Sequence, residues 1–274
     1  DEDAGRVDLR GTLRAGASGH YDAGGALVPY RAGGVDIRAQ QLGGGGALSD
    51  EFAALNTRLN DGGFFGQRSF QLKQGDLRIG NELKARQINV SVDNGRLDVV
   101  GTIDASGEQV GSIRLAAAKG LALAGSAVLD AHGTVLRVDS HGKIIDSPNR
   151  AMVELDAGSG TLVLGEGARI DLRHGTGSSG GDGRNRGTLD LYAPRIGSAG
   201  GTTDADAATF GDIAIDARGN LNIQGARSIA VYGKQRYSDA PFGTDAAASG
   251  RPYQVIDQAY LNAKHGEATQ FVDG

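Results

Sequence analysis

The stretch INVSVDNGRLDVVGTIDASG, residues 88–107, holds three short runs in which apolar and polar residues alternate, divided at Asp93-Asn94-Gly95 and again near Gly101. A period of two is the mark of a strand with one buried face, and glycine, asparagine and aspartate supply the permissive backbone a corner needs. Leu97 and Val99 share one parity, and the phase carries through Ile103 and Ala105. Those four point inward on this reading, while Arg96, Asp98 and Asp104 face out. Three strands and three corners describe one coil of a parallel β-helix.

The same unit returns along the chain. Clear copies begin at Ile113 (IRLAAAKGLALAGSAVLDAHG), Val153 (VELDAGSGTLVLGEGARIDLRHG) and Ile213 (IAIDARGNLNIQGARSIAVYG), with a partial copy, LDLYAPRIG, at Leu189. Weaker forerunners start at Val7, Val35 and Phe70. The expected fold is therefore all-β, a parallel β-helical solenoid of about eight coils. In that solenoid Leu97 and Val99 stack on Leu121 and Leu123, then on Leu162 and Leu164, then on Leu221 and Ile223.

Excess residues fall at corners, where solenoids accept insertions. At 48–63, LSDEFAALNTRLNDGG puts Phe52, Leu55 and Leu59 on one helical face, with Asp50 suited to the N-cap and Gly62 to the end. This helix is expected against one side of the solenoid. The insertion at 132–150 carries the strand-like TVLRVDS and GKIID, and the one at 174–187, HGTGSSGGDGRNRG, is polar and glycine-rich enough to read as a mobile loop. The solenoid is expected over 1–232. A C-terminal extension, 233–274, would contain a helix in RPYQVIDQAYLNAKHG that covers the last coil.

Composition narrows the function classes. Of 274 residues 46 are glycine, none is cysteine or tryptophan, and 5% are aromatic, so there is no disulfide framework and stability must come from stacking. The net charge of -5 is dispersed, and no basic stripe supports nucleic-acid binding. No run approaches the ~18 apolar residues of a membrane span, and DEDAGRVDLR at the start lacks the pattern of a signal peptide.

Asp104 and Asp130 would be neighbours on adjacent coils ~4.8 Å apart, forming a vertical carboxylate ladder. Each aspartate would then bond a backbone N–H at its corner, stack around calcium, or serve catalysis. A polysaccharide-cleaving β-helix would need clustered acids with basic residues, for which Asp104, Asp130 and Asp171 with Arg137, Arg169 or Arg173 are the candidates. The scarcity of aromatic rings weighs against sugar stacking. His20, His132, His141, His174 and His265 show no metal spacing, and Ser126 and Ser159 lie in glycine-rich turns without a nucleophile elbow. No catalytic, cofactor-binding or metal-ligating residue is assigned, and no cofactor is expected.

Nearly the whole chain resembles the filamentous haemagglutinin-like exoproteins of Gram-negative bacteria. The repeat register is similar to their shaft, and three phrases carry more specific likeness: FAALNTRLNDGGFFGQRSFQ, SPNRAMVELDAGSGTLVLGEGARIDLR, and GARSIAVYGKQRY followed by QAYLNAKHGEATQFVDG. The resemblance implies a right-handed β-helix, export through an outer-membrane two-partner-secretion transporter, and a place at the cell surface. It further implies adhesion, aggregation or biofilm formation, with a host surface or an exopolysaccharide as ligand and no membrane insertion. The family's secretion domain carries Asn-Pro-Asn motifs, to which only SPNRA at 147–151 comes near, so this segment is read as interior shaft. The function class expected is a structural or adhesive segment, not an enzyme; a polysaccharide lyase or glycoside hydrolase is the alternative.

Overall fold

Alternating strands separated by glycine corners stack when each buried side chain meets its equivalent in the next repeat, and that condition organises this chain. The computed structural model describes residues 5–16, 18–25, 27–28, 32–176, 182–196, 212–234, 243–245 and 251–253. Within them the stacked strands form three large parallel sheets. The first has seven: Gly34–Ala39, Gln67–Leu72, Gln87–Val92, Ser112–Ala117, Met152–Asp156, Gly187–Pro194 and Ala226–Lys234. A second holds Leu77–Ile79, Leu97–Val99, Leu121–Leu123, Leu162–Leu164 and Ile215–Asp216. The third is built from Thr102–Asp104, Val128–Asp130, Arg169–Asp171 and Asn222–Gln224. The architecture is all-β, parallel and solenoid-like, with one α-helix among the described residues.

Register accounts for the core. Ile88 pairs with Ile113, Ile113 with Val153 and Val153 with Leu189; Leu97 pairs with Leu121, and Leu121 with Leu162; Ile103 pairs with Leu129, Leu129 with Ile170 and Ile170 with Ile223. A one-residue slip would turn every one of these outward, so the apolar columns fix the pairing. All but Ile223 in this set are buried. Close stacking also leaves no room at corners. A Cβ on Gly95 would press on the carbonyl oxygen of Gly75 in the preceding repeat, and Gly120 holds φ near +122°.

Phase in the last repeat differs from the sequence expectation. Leu189 lies in the first-sheet strand Gly187–Pro194, Ile215 is the residue that stacks on Leu162, and Ile223 stacks on Ile170 in the third sheet. The segment following Leu189 is thus not a partial copy. It opens a repeat whose second strand comes only after residue 211, and that long insertion hid the phase. Among described residues four repeats contribute a strand to all three sheets, and the repeat beginning at Gln67 reaches the third sheet through a single bridge, Lys84 to Asp104. At Val7 there is only a two-residue strand, Arg6–Val7, paired with Gln41–Leu42, so that forerunner builds no repeat of its own.

The helix runs from Leu48 to Asp61 and buries Phe52, Leu55 and Leu59 as expected. Its N-cap position is Ala47, which makes no side-chain cap bond, and Asp50 instead sits in the first turn beside the positive end of the helix dipole. Gly62 ends it. Rather than lying along one side, the helix takes the place that second- and third-sheet strands would fill in the repeat beginning at Gly34. Phe52 meets the ring of Phe70 edge-on, with centroids 4.9 Å apart. The Arg78 N–H on the edge strand donates to Ser49 Oγ at 2.9 Å, and Asn60 Nδ2 donates to the Glu82 carbonyl at 2.9 Å. A sheet edge exposes unpaired amides, and the helix supplies some of their missing partners.

At the other end the solenoid strand continues to Lys234, two residues past the expected boundary. Where the sequence suggested a helix starting near Pro252, Arg251–Tyr253 is a strand paired antiparallel with Gly243–Asp245. The remainder of that expected helix lies outside the described residues. Insertion 132–150 forms a turn closed by an antiparallel bridge between Val138 and Ile144 rather than two strands. Its only helical element is the 3-10 turn Ser147–Asn149.

Candidate functional site

Three of the four third-sheet strands end on aspartate, and in-register pairing places Asp104, Asp130 and Asp171 one above another, with Lys84 before them and Gln224 after. The ladder and the corner bond are both present. Oδ1 of each carboxylate accepts the N–H two residues on: Ser106 at 3.0 Å, His132 at 3.2 Å and Arg173 at 3.2 Å. The same residues add their side chains, through Ser106 Oγ at 2.6 Å, His132 Nδ1 at 2.6 Å and Arg173 Nε at 2.9 Å.

Cations neutralise this column from within the chain. Lys84 Nζ lies 3.0 Å from Asp104, while Arg169 and Arg173 reach Asp171 Oδ2 at 2.8 and 2.6 Å. Asp171 does not face solvent, as the phase argument implied for its column; its side chain is 2% exposed beneath the two guanidiniums. Burial would raise its pKa, but the Arg173 and Arg169 hydrogen bonds and the Arg173 charge outweigh that and hold it down to about 2. For Asp104 burial acts upward too, and bonds from Ser106 and Lys84 bring the net shift down. A general acid needs a carboxyl whose pKa is raised. Asp104 and Asp171 are shifted the opposite way.

Oxygen and nitrogen atoms of Asp130, His132 and Asp171 come within 4.8 Å of one another, the one such group among described residues. Both Asp171 oxygens are taken by arginine and His132 Nδ1 faces Asp130. A metal ion would have to displace the guanidiniums, so the donor set is that of an ion-pair network.

The other sequence candidates disperse. Arg137 lies in the insertion, where its backbone bonds the Asn149 side chain, and it forms no ion pair among described residues. Ser126 Oγ donates to the Val100 carbonyl and Ser159 Oγ to that of Ala118, so both tie neighbouring repeats together. His141 is exposed and donates its N–H to Asp139. His20 lies in a two-residue strand, His20–Tyr21, and His265 is outside the described residues. In SPNRA, Asn149 is buried and its amide bonds Arg137 and Ile145, which is a structural task.

Two arginines escaped the sequence reading. Arg186, in the stretch taken for a mobile loop, is 5% exposed: its Nε donates to Asp146 at 2.6 Å, and two further nitrogens grip Asp182 at 2.7 and 2.9 Å. Its Nη1 also lies 2.6 Å from Nε2 of His174, whose pKa is lowered by burial and by that neighbouring charge. No local pattern marked it, because a spacing of four brings Asp182 and Arg186 side by side as a rule only on a helix, and 182–186 is not helical. Arg68 occupies an inward position of the first sheet, in register with Val35 and Ile88, and is fully buried. Strand parity in QRSFQL could have marked it, since Phe70 and Leu72 share its phase.

The geometry defines a parallel, solenoid-like stack whose polar residues serve corners and joints. No family model, no curated protein and no solved structure matches the chain. Among described residues no helix is long and apolar enough to cross a membrane.

Proposed function

We propose that this chain is the shaft of a large secreted surface protein of the filamentous haemagglutinin-like kind, a right-handed parallel β-helix that holds adhesive surfaces away from the cell. The observation that carries the reading is the residue-for-residue pairing of three parallel sheets, shifted only at the bulge between Gly187 and Thr188 among the described residues, with insertions confined to corners. Stacked repeats extend a molecule by ~4.8 Å each, which makes length an inexpensive property to encode. Passage through an outer-membrane two-partner-secretion transporter, a cell-surface location, and a part in adhesion, aggregation or biofilm formation follow from the resemblance. The ladder supports this over hydrolysis, because its carboxylates are spent on corner amides and on cations of the chain itself.

Display of the chain on a non-aggregating bacterium tests the proposal, with sedimentation of cells and retained biofilm mass as readouts. Gain of either is expected. A displayed chain that adds neither, or a purified chain that generates unsaturated or reducing ends from uronate polysaccharides in a manner abolished by Asp104→Asn, refutes it.

A further inference from the structure

The structure assigns a second role to the corner where insertions 132–150 and 174–187 meet: we infer that the cleft lined by Arg184, Asn185, Arg186, Arg227, Asp146 and Ala226 binds the carboxylate of a uronic acid unit in an acidic polysaccharide. This deepens, and rests on, the surface-adhesive reading above. The cavity is about 470 Å³, room for a sugar residue or two, and it opens to solvent.

Arg186 forms its floor. With its nitrogens held by Asp146 and Asp182, it is fixed in place and keeps the cleft from collapsing. Two other guanidiniums remain at the mouth. Arg184 hydrogen-bonds no described residue through its side chain and is exposed. Arg227 is 61% exposed and held to Asp146 only at 3.8 Å, so an incoming anion can recruit it while Asp146 stays bonded to Arg186. The Asn185 amide, also without a described hydrogen-bond partner, can serve a hydroxyl.

Backbone geometry supports a purpose for Arg227. Gly187 and Thr188 pair with Ala226 and Ser228, so Arg227 is the extra residue of a β-bulge in otherwise regular pairing. A bulge re-aims one side chain, and such irregularities are concentrated at sheet edges, where Ala226–Lys234 lies, and next to active sites. Here the irregularity places the guanidinium at the mouth of the cleft. Planar guanidinium forks match a carboxylate through paired N–H donors. The cleft is too short, and the basic residues too few, for the backbone of a nucleic acid.

Titration of the full chain with a galacturonate trisaccharide, its methyl ester, a sulfated oligosaccharide and duplex DNA decides the matter. Binding of the free acid but not the ester is expected, with each of R184Q and R227Q weakening it about tenfold and leaving the melting temperature unchanged. R227K, which keeps the charge and loses the fork, should fall between. Equal binding of acid and ester, an R184Q/R227Q variant that binds as the parent does, or preference for the sulfated chain or DNA each overturns the inference. A displayed chain that aggregates cells yet binds no uronate removes this site and leaves the adhesive reading standing; one that binds uronate here yet aggregates nothing does the reverse.

Discussion

Replacement of Arg68 by methionine tests how the helix is joined to the solenoid. The guanidinium sits in an aliphatic column and bonds only neutral acceptors: Asn56 Oδ1 at 2.9 Å, Asn60 Oδ1 at 2.7 Å, the Phe64 carbonyl at 3.0 Å and, more loosely, the Asn56 carbonyl at 3.4 Å. These cluster at the C-terminal half of Leu48–Asp61, the negative end of its dipole. Burial lowers the Arg68 pKa to about 10, a sign of what the charge costs in that position. In Arg68→Met, Asn60 and Phe64 can turn to water, but Asn56 is fully buried and its side-chain oxygen is orphaned. An orphaned buried acceptor costs roughly 1–3 kcal/mol and the lost dipole contact about 0.3–1 kcal/mol, against some relief from removing a buried charge. A net loss of about 2 kcal/mol is expected, localised to the helix. Native-state hydrogen exchange over 52–62 in increasing urea reads it residue by residue, which matters because a stack need not unfold in one step. Adding Asn56→Leu to the variant should restore part of the loss by removing the orphan. Unchanged exchange in Arg68→Met, or no recovery in the double variant, refutes the reasoning.

Acid should act on Asp171 in a defined window. Its folded pKa of about 2 lies below the ordinary ~3.9, so its contribution is complete above about pH 4 and is lost as pH falls through 2. For so buried a group this is roughly 2–3 kcal/mol, and an Asp171→Asn chain should lack that part of the acid dependence in urea titrations. Gly95→Ala drives a Cβ into the Gly75 carbonyl of the preceding repeat, where backbone cannot yield, and should cost about 1–3 kcal/mol by denaturant midpoint. Calcium should leave the melting temperature unmoved, because Lys84, Arg169 and Arg173 already serve Asp104 and Asp171. Calcium at about 100 times the Kd of a real site would add about 2.7 kcal/mol, an increase calorimetry would detect.

Much of the fold was legible because it depends on parity. Ile103 and Ala105 inside, with Asp104 at a corner above Asp130, follow from alternation and repeat spacing, and the structure agrees. The helix face of Phe52, Leu55 and Leu59 was readable for the same reason, through a period of 3.6. Where a long insertion separated Leu189 from Ile215, no local pattern carried the phase across, and the last repeat was assigned to the wrong sheets.

The polar joints followed another logic. Arg186 with Asp146 joins residues 40 apart, and Arg68 with Asn56 joins a strand to a helix that precedes it. Neither has a period, and loop composition alone gave no hint that Arg186 is anchored to Asp146 and Asp182. The sequence by itself determined the parallel repeat, its inward residues and the corner aspartates, since these are set by periodic geometry acting on each copy alike. Only the tertiary structure decided that Asp171 lies buried beneath two arginines, that the helix closes a sheet edge, and that Arg227 is turned toward a cleft. Those outcomes depend on which distant groups meet, and burial of a charge is settled by its partners rather than by its own place in the chain.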